Sequence, residues 1–329
     1  MYAVSNAYKQ AIRGRSRSVE WYGTIRLTDG TIHNFTNSNV VQNTGTLSRS
    51  CSSQSSVDLG GIFAAELQLQ LRLTIDRYKL SNAVITLYSR LNYLETVSTW
   101  GDASPFSWHD MSSCNWGDEP KALYCDIPMG VFVVSEVLRA VNSIKITAYD
   151  YMLNFDKSLP AMDTTARTPF EWLRWACTAC DVTLGMTNDF LRGLPNGSRN
   201  LIYADINNEV STYRDLLSAL AVALGSVATI NRVGELVFIQ YGMTVADEIA
   251  ASFRYSSDFS DYQTYYTGMY ASYRAKAMQE YFRNVGTLDD TGLVMDIGYN
   301  VFLQIASDSN RKSAVQAIID SLHGDKYTP

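Results

Sequence analysis

The sequence predicts an α+β chain, mainly β, in which two β regions flank a helix-containing α/β middle. Three observations carry this. Leu67, Leu69, Leu71 and Leu73 alternate with Gln68, Gln70 and Arg72, the period of a half-buried strand. Two short apolar runs, 130–135 and 144–149, stand around a polar bend at 139–143 and read as a strand pair. The Ala- and Leu-rich run 212–224 reads as a helix, with Gly225 placed to end it in the left-handed conformation. Ile144, Ile146 and Ala148 share one strand face, while Lys145 and Thr147 take the other. After Asp150 the period changes. Met152, Phe155 and Leu159 no longer alternate, and Pro160 ends the segment. The first β region hands over to the mixed one there.

The remaining elements follow in order. Residues 4–15 place Val4, Tyr8 and Ile12 on a helical stripe, with Ser5 or Asn6 able to cap it. Residues 20–27 alternate as a strand, Thr28-Asp29-Gly30 turns, and 31–35 returns as the partner. Residues 37–56 are rich in Ser, Thr and Asn and read as a strand and loop of low propensity. Leu59-Gly60-Gly61 bends the chain into 62–73; residues 78–80 and a turn at Ser81-Asn82 then lead into a further strand over 83–91. Residues 92–121 hold Trp100, Phe106, Trp108 and Trp116 among Gly and Pro without a clear period. A segment of that length in a β domain is expected to be functional, a partner surface or a packed flap.

Thr168-Pro169 starts a helix over 170–180, with Phe170, Leu173, Ala176 and Cys177 on one face. Residues 191–198 form a turn cluster, and Ser211 is a capping candidate for the next helix. Residues 226–230 and 235–241 make a hairpin around Asn231-Arg232-Val233-Gly234. Residues 261–282 carry a Tyr-rich alternation, with Tyr266, Gly268, Tyr270 and Ser272 on one side. A strand over 292–296 and a closing segment 300–303 precede a last helix over 307–322, with Ala314, Ile318 and Leu322 on its buried stripe. The chain is thus expected to divide into a β domain at 1–155, an α/β domain at 156–242 and a second β domain with a C-terminal helix at 243–329.

Composition narrows the function. With 329 residues and 46% apolar residues, two or three domains with real cores are expected. A net charge of −6 argues against sequence-independent binding to phosphate backbones, and no sequence-specific nucleic-acid partner is expected either. No apolar run reaches the ~20 residues of a membrane span. The N-terminus lacks the apolar core of a signal peptide, which points to folding in a cytoplasm. Five cysteines are too few and too scattered for a disulfide framework. The 21 tyrosines favour pleated surfaces that assemble with a partner.

No constellation for catalysis emerges. His33, His109 and His323 have no carboxylate or cysteine at metal-ligand or triad spacing. Cys177-Thr178-Ala179-Cys180 lies towards the C-terminal half of its helix, where a redox pair would want the N-terminus, so buried core thiols are expected. Asp150, Asp156 and Asp163 fall on different elements and read as capping groups. Phosphate-loop, dinucleotide and nucleophile-elbow motifs are absent from the sequence. Arg13, Arg15 and Arg17 read as a solvated face or an intersubunit contact. Neither an enzyme activity nor a cofactor or metal is expected.

Several stretches together resemble a known family. MYAVSNAYKQAI, GTIRLTDGTIHNFT, the Leu59-Gly60-Gly61 bend before AAELQLQL, and MGVFVVSEV followed by IKITAYDYMLNFDK resemble the baseplate-hub, or tail-associated, proteins of tailed phages and prophages. So do TPFEWLRWACTACDVTLG, STYRDLLSALAVALGSVATINRVGELVF and GYNVFLQ. The matches run in order from residue 1 to about 305. The resemblance implies a homotrimer at the distal end of a virion tail, assembled in the bacterial host cytoplasm. Two β-barrel-like, tail-tube-like domains per subunit would form a ring that continues the tail tube. Its partners would be the tail tube, the distal tail protein and the tape-measure protein, and its work DNA delivery without catalysis. The segment 92–121 looks longer than the family's strand connection, and the family's second barrel normally continues past a helix like 307–322. A second reading is a cell-surface or glycan-binding adhesin whose tryptophans stack on sugars. A third, a peptidoglycan hydrolase, lacks its constellation. On the first reading the interface residues are Trp100, Phe106, Trp108, Trp116, Tyr265, Tyr266, Tyr270 and Tyr273.

Overall fold

The computed structural model describes residues 17–50, 58–97, 119–162, 165–205, 208–241, 266–273, 278–283, 292–304 and 308–322, with Val4, Tyr8, Lys9 and Ile12. Of the predicted stripe, Tyr8 and Ile12 are helical, as is Lys9 beside them, while Val4 is not. The fold is mainly β with some helices. The chain divides into two compact units, Met1–Leu47 with Leu67–Ala148, and Ser48–Glu66 with Tyr149–Pro329.

The first unit is a seven-stranded sheet in the order β2-β1-β5-β6-β7-β4-β3. Its strands are β1 (Arg17–Arg26), β2 (Ile32–Phe35), β3 (Thr46–Ser48), β4 (Glu66–Leu71), β5 (Val84–Val97), β6 (Glu119–Ala140) and β7 (Ser143–Asp150). Alternation sets the buried face. Leu67, Leu69 and Leu71 of β4, Ile85 and Leu87 of β5, Phe132 and Val134 of β6, and Ile146 and Ala148 of β7 are all buried. The predicted turn at 28–30 is present: the Leu27 amide donates to the Thr31 carbonyl at 2.8 Å, and Ile25 pairs with His33. Residues 77–80 form a 3₁₀ turn, capped by the Asp76 carboxylate, which accepts from the Tyr78 amide; the strand expected over 83–91, after the turn at Ser81-Asn82, follows as the start of β5.

Two expectations change here. The aperiodic segment is narrower than 92–121, since β5 runs to Val97 and β6 begins at Glu119, with those two residues paired. The hairpin strand expected from residue 130 is therefore the second half of a 22-residue strand. Met129 is an extra residue between the Leu87–Gly130 and Tyr88–Pro128 pairs, a bulge that lets Pro128 sit in the strand. The closed barrel implied by the resemblance is not formed by the described ladders, which end at β2 and β3. β2 covers only residues 23–26 of β1, and the free Trp21 amide beyond it donates to the Asn37 side chain at 3.3 Å. A side chain thus satisfies an edge amide where a closed barrel would have a strand.

The second unit holds two three-stranded sheets and most of the helices. β8 (Thr183–Leu184), β9 (Ser226–Ile230) and β10 (Glu235–Gln240) form one sheet in the order β8-β10-β9. β11 (Tyr266–Tyr273), β12 (Met278–Arg283) and β13 (Leu293–Tyr299) form the other in the order β12-β11-β13. The Tyr-rich stretch read as one alternating segment is therefore two antiparallel strands, while β13 joins β11 in parallel. The helices are α1 (Pro169–Cys180), α2 (Asn188–Arg192), α3 (Tyr213–Ala223) and α4 (Asp308–Ser321). Thr168 and Glu171 form a reciprocal capping box on α1. Thr212 and Asp215 do the same on α3, so Thr212 is the cap and Ser211 adds a second bond to Asp215. Gly225 follows α3 with φ +59°, as predicted.

The Leu59-Gly60-Gly61 bend has a steric reason. Gly60 has φ +78°, and a Cβ there would collide with Val222. The bend lies on α3 and β9: the Gly60 amide donates to the Ser226 carbonyl at 3.0 Å and the Ser218 hydroxyl to the Gly60 carbonyl at 2.8 Å. One apolar cluster joins Leu59, α1, α3, α4 and both sheets around Trp172, Leu217, Phe302 and Ile318. Among the described residues no helix is long and apolar enough to cross a membrane.

Candidate assembly surfaces

The ladder registers of β1, β5 and β6 gather a polar and aromatic cluster on the outer sheet face of the first unit. Tyr22, Tyr88 and Pro128 lie side by side; Glu20, Arg90 and Asp126 come next; Ser18, Asn92 and Tyr124 follow. Arg90 grips Asp126 with both arms, Nε to Oδ1 and Nη2 to Oδ2 at 2.8 Å each. Its guanidinium also stands over the rings of Tyr124, at 4.4 Å, and Tyr22, at 5.0 Å. Tyr22 and Tyr88 stack at 5.3 Å. The Asn92 amide donates to Glu20 at 3.1 Å and to Ser18 at 3.3 Å. Hydrogen bonding from Arg90 holds the Asp126 carboxyl below the usual carboxylate range, and burial, then Asp126, pushes the Tyr22 hydroxyl up. The rotamers are fixed before any partner arrives, and tyrosine with arginine is the composition of binding hot spots. Sequence reasoning missed this cluster, although Tyr22, Tyr88 and Tyr124 each sit in a period-2 run.

The second unit carries a different surface. Tyr270 and Tyr281 are cross-strand partners with rings 5.2 Å apart, and both are exposed. The Tyr281 ring also covers Gly268, where a Cβ would strike it. Val294, the partner of Gly268 on β13, is exposed on the same face. Here Tyr281→Ala is expected to lose about 1 kcal/mol of stability in urea denaturation, since it removes a cross-strand aromatic pair and uncovers a strand glycine.

Of the eight residues singled out in the sequence, Trp100, Phe106, Trp108, Trp116 and Tyr265 lie outside the described residues. Tyr266 is buried in the core cluster. Tyr273 is half-buried beneath Arg311, whose guanidinium is 3.8 Å from the ring centroid and 2.8 Å from Glu280. Tyr270 alone of the three faces solvent.

The thiols of the CxxC lie in the same core. Burial pushes Cys177 up to about 12 and Cys180 up to about 11, which keeps both protonated and unreactive. Among the described residues no three His, Cys, Asp or Glu side chains gather as a metal site.

No family model and no curated protein matches the chain. Solved structures do align with it. The tail protein from Neisseria meningitidis MC58 is 9% identical over 90% of this chain and 74% of that one, with a TM-score of 0.43. The 43 kDa tail protein of prophage MuSo2 from Shewanella oneidensis is 10% identical over 90% and 79%, with a TM-score of 0.45. The prophage tail protein gp18 from Listeria monocytogenes EGD-e is 11% identical over 88% and 76%, with a TM-score of 0.47. These likenesses are too distant to assign a function.

Proposed function

We propose that the chain is a structural subunit of a phage tail or tail-like particle. It acts as a hub at the distal end, forming a trimeric ring that continues the tail tube and docks the tail-tip proteins for DNA delivery. One observation carries this reading: the ordered motifs that resemble the hub family coincide with the junctions of this fold. Leu59-Gly60-Gly61 is the bend against α3. AYDYM is the exit from β7. TYRDLL is the capping box of α3, and NRVGEL is the β9–β10 turn. The motifs therefore specify architecture and not a reaction, which fits a mechanical role. The tyrosine and arginine surface of the first unit and the exposed tyrosine pair of the second supply faces for neighbours in a ring. The divisions at 156 and 243 would then mark the tube-like regions and the segment between them.

The test is to express the tagged chain with its neighbouring tail genes, purify the particles and locate the tag by immunogold electron microscopy. Label at the tail tip is expected, with empty or tube-less tips when the chain is omitted. Intact particles without the chain would overturn the proposal. Glycan or cell binding by the isolated chain that Trp100→Ala or Trp108→Ala abolishes would favour the adhesin reading instead.

A further inference from the structure

The sheet of the first unit has two chemically opposite ends. At one end β5 and β6 run past β1 as a two-stranded ribbon, with Leu94 paired to Ala122 and Val97 to Glu119, beyond the last β1 partner at Tyr93. A ribbon of two strands is marginal alone in water and gains from a partner. The 98–118 segment joins the strands at this end. It contains Asp102, Asp110 and Asp118 and four large aromatics, Trp100, Phe106, Trp108 and Trp116, with no lysine or arginine.

The other end is basic and open. A cleft of about 730 Å³ lies between the 77–80 turn and the β6–β7 turn, lined in part by Arg77, Tyr78, Arg139 and Asn142. Tyr78 is 75% exposed, and Val141 in the adjacent turn is 92% exposed. Arg77 donates to the Tyr78 hydroxyl at 2.7 Å and stands 4.7 Å from its ring, which fixes the guanidinium without neutralising it. Arg139 makes no ion pair among the described residues. The Asp76 carboxylate, which accepts from the Tyr78 amide at 3.1 Å, also lines the cleft, so the two arginines leave the lining net positive.

We infer that the Arg77–Arg139 cleft receives the acidic, aromatic 98–118 segment of a second copy of this chain. Charge complementarity and aromatic content match the two ends. Reach decides that the copy is a different one. The path along β6 from Glu119 to Arg139 is about twenty residues, or roughly 65 Å. A segment tied at both ends to the ribbon reaches with about half its length, ~35 Å. The contact is therefore head-to-tail, the heterologous kind that closes into a ring when the rotation allows. The inference deepens the ring proposed above and rests on it only for the purpose of the contact.

The test uses a fluorescein-labelled peptide of residues 98–118 titrated into the dilute full-length chain and followed by anisotropy. Micromolar binding that weakens with salt is expected, with a loss of about ten-fold or more for the Arg77→Glu, Arg139→Glu double variant. A peptide carrying Asp102→Lys, Asp110→Lys and Asp118→Lys is expected not to bind. Both arginines are exposed, and the milder Arg139→Gln alone is expected to lose several-fold. No binding by the native peptide, or equal binding by the double variant, overturns the inference. A double variant that loses the peptide yet still enters tails sinks the cleft contact and leaves the hub reading. A chain absent from tails that still binds the peptide does the reverse.

Discussion

Trp172→Ala is expected to lower the stability of the second unit by about 3–5 kcal/mol, the cost of emptying a large aromatic slot in a packed core. Trp172 is 0% exposed and is the largest fully buried side chain among the described residues. Its ring meets Phe302 at 5.4 Å, Trp175 at 6.0 Å and Tyr203 at 6.4 Å, so one side chain ties α1 to two distant segments. Arg167 closes the slot from above, 4.5 Å from the ring. The indole N–H also donates to the Leu201 carbonyl at 3.1 Å. Alanine thus opens a cavity and leaves that buried carbonyl without this donor. Urea denaturation followed by circular dichroism measures the loss. Trp172→Phe is expected to fall between wild type and Trp172→Ala, because it keeps most of the volume while losing the polar contact and the rest of the indole. A loss below about 1 kcal/mol for alanine would mean that the slot collapses around the missing ring, and would remove Trp172 as the organiser of this core.

The same helix shows what local chemistry reveals. Thr168-Pro169 gave the start of α1, and Leu173, Ala176 and Cys177 gave three of its buried positions. Trp172 falls outside the apolar stripe that begins at Phe170, yet it is buried while Phe170 is only half-buried. Caps, tight turns and period-2 runs are written within a few residues of sequence. The hairpin around Asn231-Gly234 and the helix stop at Gly225 were legible for that reason. The length of β6 was not. Its first half contains Pro120 and Pro128, which argue against a central strand, and only the ladder with β5 and the bulge at Met129 reconcile them. Sheet closure was not legible either, since alternation fixes which face is buried and is silent on whether the edge strands meet. The Arg90 cluster lies furthest from local signals. Tyr22, Arg90 and Asp126 come from three strands, and only the registers bring them together.

Asp150 shows a motif that was visible before its reason was. It ends β7 and caps the 3₁₀ turn Tyr151–Asp156 by accepting from the Met152 amide at 3.0 Å. It also makes a reciprocal pair with Ala65: the Ala65 amide donates to Oδ2 at 2.9 Å, and the Asp150 amide donates to the Ala65 carbonyl at 3.0 Å. Asp150→Ala is therefore expected to cost about 2–4 kcal/mol, because two amides lose their acceptor in a site that is 2% exposed. The pH dependence gives a sharper check. Burial pushes the carboxyl above the usual carboxylate range, against the pull of the Ala65 and Met152 amides and of Arg49 and Arg214. The folded chain then holds the proton more tightly than the unfolded chain. Stability from this group is greatest below the usual carboxylate value and falls as pH rises through the raised one. The difference between wild type and Asp150→Ala is accordingly expected to shrink from acid towards neutral pH in paired urea titrations. Taking the difference cancels Asp126, Asp215 and Glu280, whose lowered values run the other way. A difference that grows with pH would show that the amides and arginines outweigh burial, and that the carboxylate is held charged at this exit from β7.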